Sequence, residues 1–220
     1  MKNAFPPLYL VTARAPQTTE AQFLATVAQA CEGGVGLVQL REKELPGLDY
    51  FHLAQKIKAV TDHYGVPLII DDRADIALAV DAAGVHVGQE DLPVAATRRI
   101  LGPGKMVGAT TKTLQQALAA QAEGANYLGV GAIFPTTTKV KTVRTSVETL
   151  REITATCPLP VYAIGGLNAQ NLQVLHGSGA TGIAVVSALM ASPNPKEAAE
   201  ALRAGVDTLC FAQAFAKITV

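Results

Sequence analysis

Apolar and polar positions fall in blocks along this chain. Eight short apolar runs recur: "LYLVT" (8–12), "GLVQL" (36–40), "PLIID" (67–71), "GVHVG" (84–88), "MVGAT" (106–110), "YLGVGAIF" (127–134), "VYAIG" (161–165) and "GIAVVS" (182–187). Within a run the apolar character is continuous, as in parallel strands covered on both faces; a strand with one wet face would alternate. Between the runs lie Ala-rich stretches that read as helices, among them Glu20–Cys31, Tyr50–His63, Leu114–Glu123, Glu148–Thr156, Ala169–His176 and Lys196–Ala216. Gly34, Gly65, Gly84, Gly124 and Gly179 stand between a helix and the next strand, where a C-terminal cap accepts positive φ. Eight strands, most of them followed by a helical stretch, predict an α/β fold: a (β/α)8 TIM barrel occupying residues 1–220 as one domain. The rival is a doubly wound open sheet, but no Gly-rich dinucleotide loop follows the first strand.

Composition narrows the partners. Apolar residues make up 49% of the chain and charged residues 16%, a globular balance with a sizeable core. Lys plus Arg equals Asp plus Glu at 18 each, with no basic run, so nucleic acid is not an expected partner. No apolar run reaches bilayer length, and the start "MKNAFPPLYLVTARAP" breaks at a double proline, so neither a membrane span nor a secretory signal is expected. The cysteines Cys31, Cys157 and Cys210 are far apart, with no CxxC pair and no zinc-spaced His, which reads as free thiols in a reducing cytoplasm. The sequence leaves a homo-oligomer open.

In a barrel the active site lies at the C-terminal ends of the strands, so the informative residues are those that follow each apolar run. After the second run comes "QLREK" with Gln39, Arg41, Glu42 and Lys43; after the third, Asp71, Asp72 and Arg73; after the fourth, "GQEDLP" with Asp91. Neighbouring strands lie roughly 5 Å apart, so carboxylates at adjacent exits can share one small hard cation. Asp72 and Asp91 with Arg41 and Lys43 form the set that a magnesium–diphosphate complex requires. Each acid also has a plainer reading: Asp91 as N-cap of the helix after Leu92-Pro93, and Asp72 as an ion-pair partner of Arg73. Across the mouth, "PTTTK" after the sixth run, Gly165-Gly166 after the seventh and Ser187 after the eighth supply hydroxyls, one Lys and glycine amides, the parts of a monophosphate site. The plainer reading there is a tight turn and a polar loop. His86, inside the fourth run, reads as a packed, hydrogen-bonded histidine, because no nucleophile accompanies it and no triad ordering is present. The pattern points to two phosphorylated small-molecule substrates, one carrying a metal-bound diphosphate.

"LYLVT", "VQLREK", "DDRADIALAVDAAGVHVGQEDLP", "YLGVGAIFPTTTK", "VYAIGGL" and "GIAVVSAL", in that order from Leu8 to Leu189, closely resemble the thiamine-phosphate synthase (thiamine-phosphate pyrophosphorylase) family. The resemblance implies a (β/α)8 barrel, a transferase activity of thiamine biosynthesis and a Mg2+ requirement. It implies a reaction in which 4-amino-2-methylpyrimidine methyl diphosphate loses pyrophosphate and joins a (carboxy)thiazole ethyl phosphate, giving thiamine phosphate. With the carboxylated thiazole, CO2 is also lost. Carried over by motif, the pyrimidine-diphosphate site falls on Gln39, Leu40, Arg41, Glu42, Lys43, Asp71, Thr110 and Lys139. Arg41, Lys43 and Lys139 are the catalytic cations, and the magnesium ligands fall on Asp72 and Asp91. The thiazole-phosphate site falls on Thr136, Thr137, Thr138, Gly166, Val186 and Ser187.

Two matched positions depart from the family's usual pattern. "NDR" is usual where this chain reads "DDR" from Asp71, and an ionised Asp only accepts hydrogen bonds where an Asn amide also donates. The fifth strand usually ends in Ser with His two positions on; here these are Thr110 and Lys112. Thr110 keeps the hydroxyl. Among rivals, the related thiazole tautomerase carries a His where this chain has Ala132 and lacks a full "REK". A non-catalytic thiamine-phosphate binder would have no use for two magnesium acids, and a generic phosphate-binding barrel explains "GG" and "VS" but not "QLREK" with "GQED". The polar segment 135–145 is the expected lid.

Overall fold

The computed structural model describes residues 5–135 and 144–216, with side chains to residue 209. The elements run β1 (Leu8–Val11), α1 (Glu20–Glu32), β2 (Leu37–Leu40), α2 (Gly47–His63), β3 (Leu68–Asp71), α3 (Ala74–Ala79), β4 (Gly84–Val87) and α4 (Val94–Leu101). They continue with β5 (Met106–Thr111), α5 (Leu114–Ala122), β6 (Tyr127–Gly131), α6 (Val147–Thr156), β7 (Val161–Ile164), a 3-10 turn (Leu172–Leu175), β8 (Gly182–Val185), α7 (Ser187–Met190) and α8 (Pro195–Ala216). Each strand pairs in parallel with the next, and β8 returns to β1, closing an eight-stranded barrel. The predicted fold class is thus the observed one.

Local chemistry starts and stops these elements. Thr19 caps α1 through a reciprocal box with Gln22: its side chain accepts from the Gln22 backbone N–H, and Gln22 accepts from the Thr19 backbone N–H at 2.9 Å. The helix then lays Phe23, Val27, Ala30 and Cys31 against the barrel wall. Those residues join one large apolar layer between strands and helices, which includes Leu10, Val38, Ile70, Val85, Val107, Leu128, Ala163 and Ile183. A smaller cluster fills the barrel itself: Tyr9, Val11, Leu37, Ile69, Tyr127, Tyr162 and Ala184. Its centre is a trio of tyrosines with ring centroids 5.2 to 5.9 Å apart in edge-on arrangements, the geometry that aromatic quadrupoles favour. This plug is the floor of the cavity described below. Among the described residues, no helix is long and apolar enough to cross a membrane.

Three local expectations are corrected. The helix expected over Ala169–His176 is only the four-residue 3-10 turn. Asn168 and Asn171 compete with the helix: Asn168 Oδ1 accepts from the Gln170 N–H at 3.0 Å, and Asn171 Oδ1 accepts from the Asn168 N–H at 2.9 Å. Gly84 is not a helix cap. It opens β4, where a Cβ would stand 2.1 Å from the Met106 carbonyl oxygen, so close strand approach and not positive φ selects glycine. The sixth run leaves the sheet at Gly131; residues 132–134 go on beside β7 through Ile133 N–H to Ile164 O and Phe134 N–H to Gly165 O. Helix α3 was not singled out, being too short to show a period, while α4 begins where a helix after Leu92-Pro93 was expected.

Candidate active site

One cavity opens at the C-terminal ends of the strands, lined by residues from all eight. Its β2–β4 side carries Arg41, Lys43, Asp71, Asp72 and Asp91. Asp71 is the last residue of β3 and only 8% exposed, in register with His86 of β4. Asp72 follows at φ 60, a left-handed conformation uncommon for a side chain with a Cβ, with its N–H bonded to the His86 carbonyl at 2.9 Å. Lys43 reaches across from the β2 exit to both acids: it is ion-paired with Asp72, and its Nζ lies 3.0 Å from Asp71 Oδ2. Arg41 Nε stands 3.9 Å from the same Asp71 oxygen, too far for a hydrogen bond, and its backbone N–H is tied to Thr12 Oγ1 at 3.0 Å. Asp71 Oδ2 therefore sits among charges yet lacks a hydrogen-bond partner of good geometry.

The plainer readings of the two acids do not hold. Arg73 pairs with Asp75, through Nε at 2.9 Å and NH2 at 2.6 Å, and not with Asp72. The Asp91 carboxylate turns back to accept from the Gly88 N–H at 2.8 Å, and the N-cap of α4 is Pro93. Both acids instead face the cavity, close enough for their carboxyls to interact. Burial, then the Asp71 charge, pushes the Asp72 carboxyl up to about 6 although Lys43 works the other way. Burial pulls the Lys43 ammonium down, but its contacts with Asp72 and Asp71 outweigh this and leave it above its ordinary value. A carboxylate cluster in which burial and mutual repulsion oppose ionisation suits a hard divalent cation, which would take oxygen donors from Asp72 and Asp91. Among the described residues no cluster of three or more His, Cys, Asp or Glu is arranged to hold a metal. Such an ion would thus complete its shell with water and substrate oxygens, as magnesium commonly does.

Among the described residues, the β6–β8 side of the cavity carries no charged side chain. Ala132, Ile164, Gly165, Gly166, Val186 and Ser187 line it. Gly165 and Gly166 have φ of 106 and 63, and a Cβ on Gly166 would come within 2.7 Å of Phe134 Cβ. The turn therefore packs directly on the strand-six exit, which only glycine allows. Ser187 begins α7, immediately after Val186.

Other residues singled out from the sequence are distributed as follows. Gln39 and Thr110 line the cavity. Leu40 is fully buried in the layer between strands and helices, and its carbonyl accepts from Tyr50 OH at 2.8 Å. Glu42 does not line the cavity; its Oε1 is buried without a partner, and burial raises its carboxyl despite Arg14 and Arg41 nearby. Thr136, Thr137, Thr138 and Lys139 lie outside the described residues, as does most of the expected lid. Sequence reasoning did not single out Tyr9, Tyr162 or Val11, which also line the cavity, and placed His86 only as a packed residue. His86 is indeed buried and hydrogen-bonded on both ring nitrogens, and it also faces the cavity. The available signal was a phenol inside a strand run, since a tyrosine at the middle of a barrel strand must find a partner for its hydroxyl.

A closed parallel barrel with a polar cavity at its strand exits, acidic and basic on one side and glycine-rich on the other, is the build of a barrel enzyme for phosphorylated substrates. The profile of a protein family described as thiamine monophosphate synthase matches residues 8–189. The chain is 54% identical over 196 residues to a protein of Lacticaseibacillus paracasei named thiamine-phosphate synthase, covering 89% of this chain and 92% of that one. It is also 54% identical over 183 residues to thiamine-phosphate synthase 2 of Streptococcus pneumoniae, covering 83% and 87%. Among solved structures, thiamine phosphate pyrophosphorylase from Pyrococcus furiosus superposes with a TM-score of 0.84 at 36% identity, covering 92% of this chain and 96% of that one. A 3-hexulose-6-phosphate synthase superposes at 0.67 with 17% identity, a likeness of fold alone. The chain belongs to the thiamine monophosphate synthase family.

Proposed function

We propose that this chain is a thiamine-phosphate synthase, a transferase that joins 4-amino-2-methylpyrimidine methyl diphosphate to a (carboxy)thiazole ethyl phosphate. The observation that carries the reading is the convergence of Arg41, Lys43, Asp71, Asp72 and Asp91 on one side of a single barrel cavity, opposite Gly166, Val186 and Ser187, in a member of this family.

In the proposed reaction the bond between the pyrimidine methylene carbon and the diphosphate oxygen breaks, and its electron pair leaves with the diphosphate. The electron-rich aminopyrimidine stabilises the cationic carbon. The thiazole nitrogen lone pair then forms the new C–N bond and leaves a thiazolium, and the carboxylated substrate also loses CO2. No protein nucleophile is needed, in keeping with the lack of a triad motif in the sequence. Arg41 and Lys43, with Lys139, neutralise the charge that grows on the leaving diphosphate. Two opposite charges about 4 Å apart contribute roughly 4 kcal/mol at an effective dielectric near 20, so each such contact is worth on the order of a thousandfold at most. Mg2+, held by Asp72 and Asp91, would supply further electrostatic stabilisation of diphosphate oxygens. Asp71 accepts a hydrogen bond from the exocyclic amine, and Thr110 contacts the same ring. Gly166, Val186 and Ser187, with Thr136, Thr137 and Thr138, bind the thiazole phosphate through N–H and hydroxyl donors.

The test mixes the purified protein with both substrates, with magnesium and with a chelator, and assays thiamine phosphate and pyrophosphate. Magnesium-dependent formation of both products in equal amounts is the expected result. Failure to form either product while both substrates still bind would overturn the reading.

A further inference from the structure

An unbroken line of hydrogen bonds crosses the barrel at the floor of the cavity, and the reaction above uses only its end, Thr110. Gln39 Nε2 donates to Tyr9 OH at 2.7 Å, and Tyr9 OH lies 2.9 Å from Tyr127 OH. Tyr127 OH lies 3.2 Å from His86 Nδ1, and His86 Nε2 lies 2.9 Å from Thr110 Oγ1. The line runs from β2 through β1, β6 and β4 to β5, and all its members except Tyr127 line the cavity. The barrel makes room for it with two glycines. A Cβ on Gly108 would stand 2.2 Å from Tyr127 Cζ and 2.5 Å from His86 Nδ1, and one on Gly129 would stand 3.2 Å from His86 Cε1.

The line has a direction. An amide N–H can only donate, so Tyr9 OH accepts from Gln39 and passes its own proton toward Tyr127. Tyr127 OH in turn donates to His86 Nδ1. A neutral imidazole carries a single N–H, so an accepting Nδ1 places that hydrogen on Nε2, which donates to Thr110 Oγ1. With the Tyr127 hydroxyl donating to it, Nδ1 carries no hydrogen of its own, so the ring is the neutral form. Thr110 Oγ1, already an acceptor, has its own hydrogen left for the cavity.

We propose that Tyr9, Tyr127 and His86 are positioning residues that fix the Thr110 hydroxyl as a hydrogen-bond donor to an acceptor nitrogen of the aminopyrimidine ring. Asp71, two strands from Thr110 with His86 between them, offers only lone pairs to the neighbouring amine. Together the two side chains present an acceptor and a donor, the complement of an amine beside a ring nitrogen. The inference rests on the aminopyrimidine reading of the cavity, but its structural half does not depend on turnover.

The first experiment is long-range 1H–15N correlation on 15N-histidine-labelled enzyme without substrates, with the His86 signals assigned by their loss in His86→Gln. A neutral ring protonated at Nε2 is expected. A ring protonated at Nδ1, or at both nitrogens at neutral pH, would overturn the direction of the line and the proposal with it. The second experiment is a kinetic cycle of Tyr127→Phe, Thr110→Val and the double variant. Each single change should raise KM for the pyrimidine diphosphate about tenfold, the worth of one ordinary hydrogen bond, and the double variant should be no worse than Thr110→Val. KM for the thiazole phosphate should stay unchanged. Losses that multiply, or equal rises in both KM values, mean that the tyrosine serves packing alone, and the proposal falls. If Tyr127→Phe does not fold, the tautomer in the unaltered protein still decides. A protein with the Nε2–H tautomer and no thiamine phosphate formation would refute the proposed reaction while leaving the relay standing.

Discussion

The two halves of the barrel mouth differ in what lines them. From β2 to β4 the cavity meets Arg41, Lys43, Asp71, Asp72 and Asp91; from β6 to β8 it meets Ala132, Gly165, Gly166, Val186 and Ser187, with no carboxylate or cationic side chain among the described residues. Under the proposed assignment of substrates, the difference follows from what each half would hold. A diphosphate that leaves gains charge on its bridging oxygen during the reaction, and cations held in fixed positions strengthen their interaction with it in the transition state. The thiazole phosphate carries the same charge before and after, so uniform binding by backbone N–H groups and a hydroxyl is sufficient. The charged half should therefore govern kcat, and the glycine-rich half should govern KM for one substrate.

The largest effect expected from breaking this division is at Asp72. Asp72→Ala should lower kcat by roughly a thousandfold at saturating substrates, with little rescue by extra magnesium, since a charge contact of about 4 kcal/mol is removed. Retained turnover would take the acid out of the reaction. Lys43→Met comes next: a fall in kcat of about a hundredfold or more is expected, because Asp72 and Asp71 then face each other without their shared cation. Gly166→Ala sharpens the contrast from the other side. With φ at 63 and a Cβ forced to 2.7 Å from Phe134 Cβ, the turn must shift. KM for the thiazole phosphate should rise roughly tenfold or more, while kcat stays within about threefold. The smallest effect serves as a control: Thr19→Ala, at the N-cap of α1, should cost about 1 kcal/mol in chemical denaturation and change neither kinetic constant.

The sequence carried the barrel and, among the described residues, most of the polar strand exits that line its mouth, because strands buried on both faces read as unbroken apolar runs and the charged residues stand at their ends. What it did not carry is which strand residues point into the barrel. Val38 and Gln39 are neighbours in one apolar run, yet Val38 packs against the helices while Gln39 reaches Tyr9 in the barrel's interior. Continuous burial erases the alternation that would have separated them. The same blindness hid the tyrosine floor and the second role of His86, whose partners lie 24 and 41 residues away. At the turn Leu172–Leu175 the error was of another kind: apolar spacing suggested a helix, and two asparagines with local hydrogen bonds prevented it. Asp72 illustrates the opposite case. Its place at a strand exit named the residue as a site candidate, but its left-handed backbone and its ion pair with Lys43 required the fold.

The most direct test of the division is a two-substrate steady-state analysis of the unaltered protein, Asp72→Ala and Gly166→Ala under one magnesium concentration, following pyrophosphate release. The account predicts that Asp72→Ala loses kcat with KM for the thiazole phosphate unchanged, and that Gly166→Ala raises that KM with kcat nearly retained. Loss of kcat in both variants to the same degree, or a rise in the thiazole phosphate KM in Asp72→Ala, would contradict it.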